Sequence, residues 1–323
     1  MRRGLVASVT LVALATGCSG ADLGIPDDPL VTTLTATPSA TPTTPAATPE
    51  TTPSPEPPRR FEADRAMRTV RHLAGTIGPR LATGPAFRRA AAYVEERFMA
   101  EGYAVRRQSF PVPAGDSWGV PVDAGTSSNV IATAADFDPA APYVLVGAHL
   151  DTVAVAPGAE DNASGISVLL ELARVLGGSG QVVLVAFGGE EPRGPGELHH
   201  FGSKAYVARL GETGTNLRAM VSLDRVGVGS VVPLSSVDGT PAALRNRLAD
   251  VADSVGISTV SEIDAASDHE SFADAGFLAA RIGSTPYAGY HSAADVPAVV
   301  NPAQLRRVGR LLIAWINGAL RAS

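Results

Sequence analysis

Side chains able to bind a cation or move a proton recur in this sequence directly after short apolar runs. His149 and Asp151 follow Tyr143–Ala148, and Asp161 follows the next loop; Glu190 and Glu191 follow Gln181–Phe187, Asp224 follows Ala219–Leu223, and Tyr290 and His291 follow Phe277–Ile282. Taken singly, each has an ordinary structural explanation: a hydrogen-bonded histidine, a helix cap at Asp161-Asn162, a solvated turn at Glu190-Glu191. Together they direct five carboxylates and two imidazoles to one place. Crowded carboxylates repel and raise one another's pKa unless cations sit among them. Imidazole plus carboxylate without thiolate suits zinc, with cobalt or manganese as alternatives, whereas an all-oxygen set would suit magnesium or calcium. Two histidines with three or four carboxylates exceed the needs of one tetrahedral zinc and match two ions that share a bridging carboxylate.

Positioning these groups requires a sheet whose strands end together. Candidate strands are Ala104–Phe110, Asn129–Thr133, Tyr143–Ala148, Gln181–Phe187, Ala219–Leu223 and Phe277–Ile282. Apolar residues at helical spacing predict helices over Phe61–Thr76 and Pro85–Glu101, and candidate helices alternate with the strands over Ser164–Leu176, Ser203–Leu210, Pro241–Val255, His269–Ala275 and Pro302–Leu320. Continuous apolar runs such as Val182-Val183-Leu184-Val185-Ala186-Phe187 suit central strands covered by helices on both faces. The expectation is a three-layer α/β/α domain over 61–323, with its chemistry at loops beyond the carboxyl ends of strands.

Composition excludes other chemistries. One Cys among 323 residues permits neither an intrachain disulfide nor a thiolate metal cluster. The formal net charge is −6, Lys204 is the only Lys, and no basic stretch tracks a phosphate backbone, so nucleic acid is not an expected partner. Ten of the 25 prolines fall between Pro26 and Pro58, in a Thr/Pro/Ala/Ser-rich segment too poor in apolar surface to fold. Ahead of it, Arg2-Arg3 and the uncharged run Gly4–Thr16 have the form of a signal peptide over 1–17. The small residues ending on Cys18 resemble the lipobox of bacterial lipoproteins, which implies a lipid on Cys18 and a tether over 18–60. Cleavage after Ala13-Leu14-Ala15 is the rival reading. The expected location is therefore the outer face of the cytoplasmic membrane, reached through lipidated Cys18.

Six blocks, in order, carry a family resemblance: Gly147-Ala148-His149-Leu150-Asp151-Thr152, Glu160-Asp161-Asn162-Ala163-Ser164-Gly165, Gly188-Gly189-Glu190-Glu191, Ser222-Leu223-Asp224, Ser267-Asp268-His269-Glu270-Ser271-Phe272 and Tyr290-His291-Ser292. With Ile77-Gly78-Pro79-Arg80 as an early marker, the chain from about Arg65 onward resembles the aminopeptidase Y and glutamate carboxypeptidase family of di-zinc metallopeptidases, within the zinc exopeptidase clan. The resemblance implies a mixed, mostly parallel sheet and two zinc ions. It makes His149 and Asp224 ligands of one zinc, Glu191 and His291 ligands of the other, and Asp161 the bridge. It makes Glu190 the general base and Tyr290 a donor to the oxyanion. Asp151 would accept the free N–H of His149 and fix its tautomer. Asp268 and His269 fall in a motif and are expected at a helix start near the site, without an assigned role.

Two departures stand out. The family has about four residues between its Glu pair and the Gly-Ser that opens the next helix, whereas Pro192–Phe201 supplies a longer loop with Glu197, His199 and His200. Arg225 stands where an apolar residue is usual. The expected function is an extracytoplasmic aminopeptidase acting on peptides. A carboxypeptidase or a single-zinc glutaminyl cyclase on the same fold, and a binding lipoprotein that has lost catalysis, are the alternatives. The 66-residue interval from Asp224 to His291 leaves no room for a large inserted dimerisation domain.

Overall fold

The computed structural model describes residues 59–196 and 198–320; the expected signal segment, Cys18 and nearly all of the tether lie outside the described residues. The strands are β1 (Ala104–Val112), β2 (Gly115–Ser117), β3 (Val120–Val122), β4 (Gly125–Thr133), β5 (Tyr143–His149), β6 (Val182–Phe187), β7 (Leu217–Leu223), β8 (Val232–Ser236), β9 (Thr259–Ile263) and β10 (Ala279–Ile282). The α-helices are α1 (Ala63–Val70), α2 (Pro85–Ala100), α3 (Ser164–Leu176), α4 (Phe201–Val207), α5 (Ala243–Ser254), α6 (His269–Asp274) and α7 (Pro302–Ala319).

Eight strands form one mixed sheet in the order β1-β4-β6-β5-β7-β10-β8-β9, and β2 pairs only with β3. The central four, β6, β5, β7 and β10, are mutually parallel, so their carboxyl ends share one edge. The β1/β4, β4/β6 and β10/β8 pairs are antiparallel.

Strand periodicity sorts each apolar run onto two faces. Val144, Val146 and Ala148 of β5, with Val182, Leu184 and Ala186 of β6, join the larger core under α1, α2, α3, α5 and α7. Leu145, Val183, Val185 and Phe187 face the smaller core, where Tyr206 of α4 and Phe272 of α6 pack. This is the expected α/β/α arrangement. Two strands of the sheet, β8 and β9, were not expected: Pro233 and Ser235-Ser236 interrupt the apolar signal of β8, and β9 is a half-exposed edge strand with no buried apolar run. The first predicted helix stops being regular at Val70 and continues as a wider turn over Arg71–Ile77, with Gly78 N–H bonded to the Leu73 carbonyl at 3.0 Å.

Asn129 on β4 holds both ends of the excursion that follows β6. Its Oδ1 accepts Gly188 N–H at 3.1 Å and its Nδ2 donates to the Gly202 carbonyl at 2.8 Å. A Cβ on Gly202 would sit 2.2 Å from the Gly188 carbonyl oxygen, so only glycine permits the two ends to come this close.

Candidate metal centre

His149 closes β5, Glu190 and Glu191 follow β6, Asp224 follows β7, and His291 lies on the loop after β10, so the shared strand edge gathers them. Asp161 arrives on the turn that leads into α3. All are buried. The Asp161 carboxylate divides its oxygens between the two imidazoles: Oδ1 is 3.1 Å from His149 Nε2 and Oδ2 is 3.2 Å from His291 Nε2. Asp224 Oδ1 completes the first set at 3.4 Å from His149 Nε2, and Glu191 Oε2 completes the second at 3.1 Å from His291 Nε2. Each trio can converge on one ion.

The proton arithmetic requires positive charge between these atoms. His149 Nδ1 faces the Asp151 carbonyl at 3.2 Å and therefore carries the proton of a neutral ring. That leaves the Nε2 lone pair aimed at carboxylate oxygens, an arrangement that only a proton or a metal ion can make attractive. Glu191 Oε1 and Asp224 Oδ1 are also buried without a hydrogen-bond partner. With protons alone, burial would lower the pKa of His149, but Glu190, Asp161 and Asp224 outweigh it and hold it well above the usual imidazole range. Burial likewise disfavours the His291 cation, yet Asp161 and Glu191 push its pKa up to about 10. Glu191 is raised to about 8 by burial and by the charge of Asp161. Protons thus occupy the positions a divalent cation would take.

Asp151 does a different job from the one expected. Its carboxylate is 4.0 Å from His149 Nδ1, and the tautomer is set instead by its backbone carbonyl. The carboxylate accepts the backbone N–H groups of Glu190 at 3.1 Å and Glu191 at 3.2 Å. These two bonds fix the Glu pair to the loop after β5.

Residues 129–316, more than half of the chain, match the profile of peptidase family M28. The chain belongs to that family. M28 proteins are zinc peptidases, and zinc fits the imidazole and carboxylate donors gathered here. Among curated relatives, the uncharacterized protein YfbL of Escherichia coli is 32% identical over 201 residues, covering 58% of this chain and 57% of that one. Aminopeptidase YwaD of Bacillus subtilis is 31% identical over 193 residues, covering 55% and 41%. The chain thus spans about half the length of the curated relatives it matches. Among solved structures, the zinc aminopeptidase BSAP of Bacillus subtilis superposes with a TM-score of 0.71 at 20% identity, over 80% of this chain and 95% of that one. A glutaminyl cyclase of Bacteroides thetaiotaomicron gives 0.68 at 20% identity, over 80% and 98%. These likenesses establish the fold.

Around the M28 donor set the structure adds Trp118 and Asp295, which the sequence did not single out, and gives contacts to residues that it did. Trp118, at the tip of the β2–β3 hairpin, meets the His291 ring edge-on at 4.3 Å. Tyr290 stacks on His291 at 3.8 Å and carries the Arg225 guanidinium 4.5 Å above its ring. Asp295 accepts the N–H groups of Glu160 at 2.8 Å and Asp161 at 3.1 Å. Arg80, part of the early marker, is wholly buried and donates to the carbonyls of Leu150, Pro157 and Gly158, on the loop between His149 and Asp161. Asp268 and His269 do sit at the start of α6, and Glu270 of the same motif lies 2.9 Å from His200. Among the described residues, four non-glycine residues have positive φ, namely Trp118, His200, Arg225 and His291, and all four are at this site. Such backbone strain persists only where surrounding structure over-determines it, and it gathers at functional sites. A single signal in the sequence pointed toward His200: the unusual length of its loop.

Proposed function

We propose that this M28 protein is an extracytoplasmic aminopeptidase that holds two zinc ions and removes N-terminal residues from peptides. The observation that carries the reading is the division of the Asp161 carboxylate between His149 and His291, with Asp224 and Glu191 completing the two halves. His149, Asp161 and Asp224 would hold one ion, and His291, Asp161 and Glu191 the other. Zinc bound there supplies Lewis acidity, polarising the scissile carbonyl and lowering the pKa of water.

The remaining work falls to the chain's own groups. Glu190 belongs to neither shared trio; its Oε2 lies 3.9 Å from His149 Nε2, at the margin of the first. From there it takes the proton of the attacking water as the new C–O bond forms, and delivers it to the departing amine as the tetrahedral species collapses and the amide C–N bond breaks. Tyr290, partly exposed beside His291, directs its hydroxyl to the oxyanion of the tetrahedral species. The pocket is small, about 200 Å³, below the usual range for extended ligands. That size suits one terminal residue with the rest of the peptide outside. Delivery to the outer membrane face rests on the signal-like segment and on Cys18.

Zinc analysis with hydrolysis of aminoacyl-4-nitroanilides, for wild type and Glu190→Ala, tests the assignment. Zinc-loaded wild type should turn over free-amine substrates and ignore blocked ones, and the variant should bind zinc without turnover. Metal without turnover on any free-amine peptide would refute the aminopeptidase reading, and cyclisation of N-terminal glutamine peptides instead would move it to the cyclase. Fatty-acid labelling that marks wild type but not Cys18→Ala tests the anchor.

A further inference from the structure

The long loop after Glu191 returns to the residue it left. Inside it, Arg193 N–H bonds the Leu198 carbonyl at 2.7 Å; at its close, His200 N–H bonds the Glu190 carbonyl at 2.9 Å and Phe201 N–H bonds the Gly189 carbonyl at 2.8 Å. His200, in a left-handed conformation with φ of 55°, turns its imidazole back along the same residue. Its Nε2 lies 3.2 Å from Glu190 Oε1. On the opposite side its Nδ1 lies 2.9 Å from Oε2 of Glu270, which α6 brings in from 70 residues away in the chain. The ring is 3% exposed, and Nδ1 and that Glu270 oxygen are both buried without a hydrogen-bond partner, so their 2.9 Å approach is an ion-pair contact. A neutral imidazole has one N–H and cannot satisfy two carboxylates. The ring fits between them only with both nitrogens protonated.

We propose that His200, held from behind by Glu270, is the positioning residue for Glu190. It commits Oε1 of Glu190 and leaves Oε2, on the His149 side, as the single oxygen free to accept a proton. The restraint has a second effect. Glu190 is close enough to His149 and Glu191 to join them around an ion, and a carboxylate that ligates a metal is no longer a free base. His200 keeps it out of that role. The inference rests on the proposed role of Glu190 as base, and it assigns a purpose to the loop that departs from the family pattern.

The test uses full-length protein. Kinetics on an aminoacyl-4-nitroanilide should show His200→Gln and Glu270→Gln lowering kcat by about 10- to 100-fold, the range for lost partners of catalytic groups, with KM nearly constant and zinc content unchanged. Added imidazole should restore part of the kcat of His200→Ala. Nitrogen-15 NMR of histidine-labelled protein without metal should show both His200 nitrogens protonated in wild type, and not in Glu270→Gln. Wild-type kcat in His200→Gln and Glu270→Gln, or a neutral His200 ring, would overturn the proposal. Should His200→Gln fail to fold, Glu270→Gln, changed at a partly exposed side chain, decides. If wild type hydrolyses no free-amine peptide, the aminopeptidase reading fails by itself, and the NMR signature still decides how His200 is held.

Discussion

Carboxylates in this protein are used in two ways, and the difference lies in what each oxygen faces. Asp161, Glu191 and Asp224 aim oxygens at imidazole nitrogens, where a cation would sit, and Asp224 also has the Arg225 and Arg281 guanidinium groups at 3.7 and 3.6 Å. Asp151, Asp295 and Glu160 aim theirs at backbone N–H groups and act as fasteners for the turns that carry the first group. Asp151→Asn keeps the shape but offers one acceptor oxygen where two N–H groups wait, and it turns an amide N–H₂ toward the other. The expected result is a fall of about 10- to 100-fold in zinc affinity or kcat, read by competitive zinc titration alongside kinetics. An Asn variant with wild-type values in both would show that Asp151 is a bystander. The aspartates, glutamates and histidines that face one another were legible by type and order, because metal chemistry demands those types. Among the fasteners Asp151 was named for another task and Asp295 not at all, since an acid that grips backbone N–H groups has no distinguishing neighbour in sequence; Asp295 meets Glu160 across 135 positions.

At the scale of elements, the central strands were legible because burial on both faces leaves an unbroken apolar run, as in Val182–Phe187. Helix α3 was legible from its apolar spacing. Strands β8 and β9 were not, because a proline, two serines and an exposed edge erase the period that marks a strand. Nor was the β2–β3 hairpin, three residues on each side, whose place is set by contacts with distant loops: Ala154 N–H to Ser117 Oγ at 3.0 Å and Asp116 N–H to the Arg193 carbonyl at 3.0 Å. The loop from β5 to α3 has no regular structure to hold it until Asp161, and Arg80 takes that part, bonding five carbonyl oxygens of Leu73, Gly78, Leu150, Pro157 and Gly158. Arg80→Met fills much of the space but strands those carbonyls. Each buried polar group left unpaired costs about 1–3 kcal/mol, so the variant should lose more than about 3 kcal/mol in urea unfolding. A loss under about 1 kcal/mol would mean that water or neighbouring N–H groups already satisfy the loop.

For the whole molecule, metal and pH are linked. Without metal, His291 is held at about 10 and Glu191 at about 8, both above their ordinary values. The folded state therefore binds more protons than the unfolded chain, and its stability falls as pH climbs from about 5 through about 10. Zinc competes with those protons and gains affinity over the same range. Chelator-treated protein should thus melt lower than zinc-loaded protein, by the equivalent of about 4 kcal/mol at thousandfold saturation, and the gap in Tm should widen from pH 6 to pH 8. A gap that narrows with pH would place the stabilising cation elsewhere. No described helix is long and apolar enough to cross a membrane. One further property of the whole follows from Asn129. It grips Gly188 and Gly202 from β4, a strand that bears none of the proposed ligands, and so fixes the doorway through which the chain leaves and re-enters. Inside those posts, between Glu191 and His200, the chain can lengthen or shorten at a closure entropy that rises only slowly with length, while the Glu pair stays at the exit and His200 at the return. The stretch from Pro192 to His199 is in that sense a replaceable cassette, the part of this fold where a lineage can rewrite selectivity while leaving the chemistry in place.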